Sequence, residues 1–299
     1  MKVLICDATD PKALKMIEEA GIEVVNQPDI TPEELLKAIP DYPCMVVRSR
    51  TKVTKEVLDA GTSLKAVVRA GVGLDNIDVG YAKEKGIKVL NTPTASTQSV
   101  AELTIAYLMA LARNIPLMTA SMKAGKWEKK SFVGVEVAGK TLGLIGSGRI
   151  GSAVAERAIG LGMTVVAFDP YVSELPNITL MELDEVLEKA DYISLHIPHT
   201  DETHNILDAA AFDKVKPGVR IINCARGGTI DEDALYQALK DGKVAGAALD
   251  VYAEEPLTDP KLFSLDQVIG SPHVGAGTKE AKARVGEVAA QKVIETLKG

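Results

Sequence analysis

The segment Gly139–Pro170, GKTLGLIGSGRIGSAVAERAIGLGMTVVAFDP, restricts what this chain can fold into more than any other stretch. Thr141–Ile145 is a short, continuously apolar run, the pattern of a parallel strand buried on both faces. Gly146, Gly148 and Gly151 follow at G-x-G-x-x-G spacing, and a helical pattern from Ile150 to Leu161 stops at Gly162. Thr164–Phe168 has the character of a second buried strand, with Asp169 at its carboxyl end. Each glycine serves a physical purpose. Gly146 permits the tight turn, Gly148 lets backbone approach a pyrophosphate, and Gly151 lets the helix pack closely on the strand. The amides at the helix start, around Arg149 and Ile150, then face the anion with the helix dipole behind them. Asp169 is placed to accept hydrogen bonds from an adenosine ribose, which favours NAD over NADP. A glycine turn alone occurs in many unrelated chains; here strand, helix and acidic residue supply the context the reading requires. Arg149 either reaches a cofactor phosphate or is a solvated residue at the helix start.

The fingerprint opens late in a chain of 299 residues, long enough for two domains. Before it, strand-like runs (Val3–Cys6, Glu23–Asn26, Cys44–Val47, Ala66–Arg69, Val89–Asn91) alternate with helix-like ones (Pro11–Ala20, Thr31–Ile39, Thr54–Asp59, Asp78–Lys85). That rhythm implies a parallel sheet covered on both faces. After Asp169 it resumes with strands at Tyr192–Leu195, Arg220–Asn223, Ala245–Leu249 and Val268–Ile269, and helices at Leu183–Lys189 and Asp231–Lys240. The expected fold is α/β with two domains. A Rossmann-type doubly wound NAD-binding domain spans 95–275, and a smaller flavodoxin-like substrate domain combines 1–94 with 276–299, the latter one amphipathic helix, Thr278–Leu297. Between the two, Thr94–Trp127 is apolar at helical spacing, suited to a core helix or to a contact with a second subunit.

Hydrophobic residues make up 46% and charged ones 25%, a globular composition, and a net charge of -7 without a basic block argues against nucleic acid as partner. Cys6, Cys44 and Cys224 are too scattered for a metal or redox pair, which suits a reducing compartment, and no metal site is expected. The start, MKVLICDATD, has the pattern of a first strand and not of a signal peptide, so a cytoplasmic protein without membrane attachment is expected.

In a doubly wound sheet, ligands gather at the carboxyl ends of the strands. Three such ends carry Arg226 (in CARGG), Glu255 (in DVYAEEP) and His273 (in SPHVG). An arginine can grip the carboxylate of a 2-hydroxy acid through two charge-assisted hydrogen bonds. An imidazole can exchange the hydroxyl proton, and a glutamate on the far ring nitrogen would fix its tautomer and favour the cation that forms. Singly, each fits a bland role: His273 in a loop, Glu255 in an exposed turn, Arg226 in a structural pair. Their convergence beyond a dinucleotide fingerprint is what points to hydride transfer. His196 suits packing near the cofactor cleft, and His199 and His204 are expected to be solvated.

The strings GSGRIG, NCARGG, ALDVYAEEP and SPHVGAGT together resemble the D-isomer-specific 2-hydroxyacid dehydrogenases over essentially the whole chain. RAGVGLDNID (Arg69–Asp78), VLNTPTAS (Val89–Ser96) and ASMKAGKWEKKSF (Ala120–Phe132) are similar to members acting on 3-phosphoglycerate. The resemblance implies NAD-dependent oxidation of 3-phospho-D-glycerate to 3-phosphohydroxypyruvate, the entry step of serine synthesis, in a homodimer. It implies that Arg226 binds substrate, Glu255 is the acid partner and His273 the acid/base. Asp250, Cys224, Ala225, Ile197 and Gly275 match positions lining the cofactor. Arg48, Arg69 and, from the arm of the partner subunit, Lys129 match positions for the substrate phosphate, with Ser49, Gly71 and Asn76 as companions. It also implies a first domain, completed by the final helix, that closes over the cofactor domain. Val72 and Ile197 stand where relatives often carry threonine, which removes a side-chain contact at each. The chain ends after one helix, so a short form without a regulatory extension is expected. Rivals are a glyoxylate or hydroxypyruvate reductase and an NADH-sensing, corepressor-like binding protein of the same fold.

Overall fold

Short apolar runs bounded by glycine and proline become parallel strands throughout. The computed structural model describes residues Met1–Gly299, which sort into two units: Met1–Ser96 with Ala276–Gly299, and Thr97–Gly275.

The first unit contains β1 (Lys2–Ile5), α1 (Pro11–Glu19), β2 (Glu23–Asn26), α2 (Pro32–Ala38), β3 (Cys44–Val47), α3 (Lys55–Ala60), β4 (Ala66–Arg69), α4 (Val79–Glu84) and β5 (Lys88–Asn91). Its sheet runs β2-β1-β3-β4-β5, all parallel, the flavodoxin-like doubly wound order. The central strand β3 is buried at every position, as a strand covered on both faces must be. Helix α2 starts on a capping box: Thr31 Oγ1 accepts from the Glu34 amide at 3.2 Å, and the Glu34 carboxylate accepts from the Thr31 amide at 2.9 Å. Pro32 fills the first helical position, where its missing N–H costs nothing. The last helix of the chain, Lys279–Lys298, packs against α1. Gly286 permits that approach, because a Cβ there would stand 3.0 Å from Asp10 Cβ and 3.1 Å from Ala13 Cβ.

The second unit starts with α5 (Thr97–Arg113) and α6 (Ile115–Lys123). Then follow β6 (Thr141–Ile145), α7 (Arg149–Gly160), β7 (Thr164–Phe168), β8 (Thr179–Leu180), α8 (Leu183–Lys189) and β9 (Tyr192–Leu195). The unit continues with α9 (Ala209–Lys214), β10 (Val219–Asn223), α10 (Glu232–Lys240), β11 (Val244–Leu249) and β12 (Val268–Gly270), and the C-terminal helix of the first unit is α11. The seven strands are all parallel in the order β12-β11-β10-β9-β6-β7-β8. The chain builds outward from β6 to β8, then returns to β9 on the other side of β6. The crevice at that reversal is where a doubly wound sheet takes its ligand.

The apolar stretch Thr94–Trp127 is not one helix. Asn114 adopts a left-handed backbone, φ 52, and the following Pro116 has no amide hydrogen to carry a ladder across the turn, so α5 and α6 meet at a 65° bend. The two halves also differ in burial. Helix α5 is core, with Ala101, Thr104 and Leu108 wholly buried, whereas Ile115, Met122, Trp127 and Val133 are exposed, Trp127 by 80%. No single helix is long and apolar enough to cross a membrane.

Candidate active site

The glycine turn leaves β6 as its spacing requires. Gly146 has φ +90, and a Cβ there would lie 2.7 Å from both the His196 carbonyl oxygen and Ile197 Cγ2. A Cβ on Gly151 would overlap the Gly146 carbonyl oxygen, so α7 can sit this close to the turn only without one. Gly148, the N-cap of α7, faces open space, and no side chain caps the helix. The first amides of α7, at the exposed Arg149 and half-buried Ile150, therefore remain available to an anion. Asp169 is fixed at the rim: its carboxylate accepts from Ser147 N at 2.8 Å, Ser147 Oγ at 2.9 Å and Tyr171 N at 3.0 Å. Uncapped helix start, open glycine and anchored carboxylate fit a dinucleotide. Asp169→Ala is expected to weaken NAD binding about tenfold or more, the scale of one charged hydrogen bond, and to narrow the preference over NADP. Titrating both cofactors against the variant checks this; an unchanged preference removes the ribose role.

His196 closes packing behind this turn. Its Nε2 lies 3.0 Å from Ser194 Oγ, its Nδ1 is sequestered without a partner, and burial pushes its pKa down from 6.5 to about 4. The ring is therefore neutral in the fold, while the unfolded chain takes up a proton below 6.5. Stability is then lost as pH falls from 6.5 towards about 4. The expected loss between pH 7 and pH 5 is about 2 kcal/mol. Denaturant unfolding at the two pH values, compared with His196→Asn, checks it, since the variant should lose that share of the pH dependence.

Strand register brings the chemical residues together. Asn223 of β10 pairs with Leu249 of β11, which pairs with Gly270 of β12, so the three chains leave the sheet side by side, at roughly 5 Å per strand. After β10, the buried Asn223 curls the loop: its Nδ2 donates to Arg226 O at 2.9 Å and Thr229 Oγ1 at 3.1 Å, and its Oδ1 accepts from Ala225 N at 3.0 Å. That presents Arg226, whose Nη1 donates to Ala225 O at 2.6 Å. The Gly227 backbone lies directly on Tyr252, where a Cβ would overlap the Tyr252 carbonyl. Tyr252 in turn donates its amide to Glu255 Oε1 at 3.2 Å, and Glu255 Oε2 meets His273 Nδ1 at 2.7 Å. A carboxylate only accepts, so the Nδ1 hydrogen belongs to this contact and Nε2 carries the free lone pair. His273 has a left-handed backbone, φ 52, uncommon for a residue with a side chain.

Several other expected site residues have partners within the fold. Asp250, expected beside the cofactor, is 1% exposed, and its carboxylate accepts from Val274 N at 2.8 Å and Gly275 N at 2.7 Å. The Cys224 thiol is buried in the core under α5, which pushes its pKa up to about 12, and the Ala225 amide donates to Asn223. Ile197 packs its Cγ2 over Gly146. His199 and His204 are exposed, as expected of solvated residues, and their rings also meet each other at 3.0 Å.

The remaining candidates belong to the first unit, Lys129 excepted, which lies exposed after α6. Asn76 is a brace: its Nδ2 donates to Arg48 O at 2.8 Å and Thr51 O at 2.7 Å, which leaves no amide hydrogen for a ligand. Gly71 has φ 156 and lies against the Arg69 guanidinium, whose Nη2 donates to Ser49 Oγ at 3.1 Å. Arg48 Nη1 reaches Ala8 O at 3.3 Å. Neighbouring Arg50 is structural instead, bound to buried Asp7 at 3.0 Å and to the carbonyls of Cys6, Pro28 and Ile30. Asn223, Tyr252 and Arg50 were not among the expected residues; for Asn223 the signal was an amide side chain at a strand end, directly before the arginine loop.

Residues 105–275 match the profile of the D-isomer specific 2-hydroxyacid dehydrogenase, NAD binding domain. The whole chain is 48% identical to a D-3-phosphoglycerate dehydrogenase of Methanocaldococcus jannaschii and spans 58% of that relative's length. It is also 48% identical, over 99% of this chain and 98% of the relative, to a hydroxypyruvate reductase of Thermotoga maritima. A D-lactate dehydrogenase from Aquifex aeolicus, solved with NAD and lactic acid, superimposes with a TM-score of 0.88 at 30% identity, covering 100% of this chain and 96% of that one.

Proposed function

Because the chain belongs to the D-isomer-specific 2-hydroxyacid dehydrogenases, we propose that it oxidises 3-phospho-D-glycerate to 3-phosphohydroxypyruvate with NAD, the entry step of serine synthesis. The observation that carries the chemistry is the 2.7 Å contact between Glu255 and His273 Nδ1, which leaves Nε2 as the base. His273 Nε2 takes the proton of the C2 hydroxyl, and Glu255 stabilises the imidazolium that results. Arg226 pairs with the substrate carboxylate and polarises the C2 oxygen. The Gly146–Gly151 turn and Asp169 hold NAD, which supplies the hydride acceptor when bound.

For the substrate phosphate we propose Arg48, with Arg69 and Ser49, and with Lys129 supplied by a second copy of the chain. The support is chemical: Arg50 is committed to Asp7 and three carbonyls, whereas Arg48 makes one long bond to Ala8 O and keeps donors for a phosphate. A second copy of the chain is the proposed partner of the exposed Ile115, Met122, Trp127 and Val133.

The Thermotoga relative, matched along nearly its full length, supports a second reading, reduction of hydroxypyruvate without a phosphate site. Steady-state kinetics on 3-phosphoglycerate and on D-glycerate separate the two. Arg48→Ala is expected to raise KM for the phosphorylated substrate about tenfold, the value of a charged hydrogen bond, and to leave D-glycerate unaffected. Equal wild-type efficiency on both substrates would remove the phosphoglycerate reading and keep the reductase.

A further inference from the structure

We propose that Tyr107 and Ser271 are positioning residues for His273, acting through the buried carboxylate of Asp250; this rests on the reading of His273 as the acid/base. Tyr107 OH donates to Ser271 Oγ at 2.5 Å, and Ser271 Oγ donates to Asp250 Oδ1 at 2.5 Å. The same carboxylate accepts from the amides of Val274 and Gly275, the two residues directly after His273. The direction of the relay is fixed from its far end. An ionised carboxylate only accepts, so the Ser271 hydrogen must point at Asp250, and the Ser271 oxygen must then accept from the phenol. Burial pushes the Tyr107 pKa up to about 12, which keeps the phenol a donor through the neutral range.

What this relay holds is a strained residue. A left-handed backbone at a non-glycine position costs about 1–2 kcal/mol, and such a residue persists only where its surroundings determine it from both sides. On the amino side of His273, its own amide donates to Ser271 O at 3.1 Å, and that carbonyl also accepts from Tyr252 OH at 3.0 Å. On the carboxyl side, Asp250 grips two successive amides. Gly275 is fitted to this grip, since a Cβ there would stand 3.0 Å from Asp250 Oδ2. Tyr107 lies on the core helix α5, so the relay ties the His273 loop to a buried part of the unit. Neither residue reaches the reacting atoms; each sets where the imidazole stands.

The test uses Ser271→Ala, Ser271→Thr and Tyr107→Phe in the full chain. Ser271→Ala is expected to lower kcat about 10–100-fold, the scale of a misplaced catalytic group, with KM for NAD unchanged. Ser271→Thr, which keeps the hydroxyl, restores most of the turnover, and Tyr107→Phe shows a smaller loss of the same kind. Wild-type kcat in both Ser271→Ala and Tyr107→Phe, or a loss that follows the unfolded fraction alone, overturns the proposal. Amide hydrogen exchange supplies a readout independent of turnover: Val274 and Gly275 should exchange about tenfold faster in Ser271→Ala than in the wild type. Unchanged exchange overturns the relay. A wild-type protein without activity but with the faster exchange in the variant would instead overturn the dehydrogenase reading and leave the relay standing.

Discussion

Replacing His273 with alanine is expected to lower kcat by about 10²–10⁴-fold, the range a positioned acid/base contributes, while NAD binds as before. The separation follows from the geometry. The glycine turn and Asp169 leave β6 and β7, whereas His273 leaves β12 at the far edge of the sheet, so removing the imidazole leaves the cofactor's proposed contacts in place. Glu255 loses its 2.7 Å partner but is exposed enough to be resolvated, so the fold should tolerate the change. Fluorescence titration of NAD beside steady-state turnover checks both halves. Lost cofactor affinity with turnover retained would place His273 in the wrong role.

The second large effect concerns a residue with no chemistry of its own. Gly227→Ala is expected to lower kcat/KM by about 100-fold, because a misplacement near 1 Å is enough for that. A methyl at this position overlaps the Tyr252 carbonyl, which is backbone and cannot rotate away. The loop carrying Arg226 must therefore move off the loop carrying Glu255. Tyr252 also orients Glu255 through its amide, so carboxylate grip and proton transfer should fail together. Overpacking of this kind costs about 1–3 kcal/mol of stability, which thermal unfolding would register. Activity at the wild-type level would mean that the contact between the two loops does not position the site.

Most of the strands could be placed from their residues, for a specific reason. Cys44–Val47, Ala66–Arg69 and Tyr192–Leu195 are mostly apolar runs, and burial on both faces favours that composition. The glycine fingerprint was equally legible, because a φ of +90 and a Cβ clash with a carbonyl leave glycine as the residue for position 146. Less visible were elements decided by few contacts. Strand β8 has two residues and pairs with β7 alone, and α9 is a single short helix, half of it alanine. The break at Asn114 depends on one backbone angle inside a continuous apolar pattern, and periodicity does not register a single left-handed residue.

Within the candidate site, Arg226, Glu255 and His273 stand out in the sequence because ionisable groups at strand ends are conspicuous. The supports were hidden for the opposite reason. Tyr107 appears in the sequence as one more apolar position on a core helix, and Ser271 as an ordinary turn residue. Their hydrogen bond links positions far apart along the chain, and only the folded structure joins them. Asp250 was expected near the cofactor only through the family resemblance, and its burial and three hydrogen-bond donors could not be read from the sequence.

The most direct measurement of the central claim is nicotinamide absorbance while the purified protein is given NAD and matched D- and L-enantiomers of 2-hydroxy acids, phosphorylated and plain. Membership of the D-isomer-specific family, with the paired Glu255 and His273 and with Arg226 at neighbouring strand ends, predicts NADH formation with a D-2-hydroxy acid and little or none with its mirror image. Tight NAD binding without NADH from any member of the panel would contradict it.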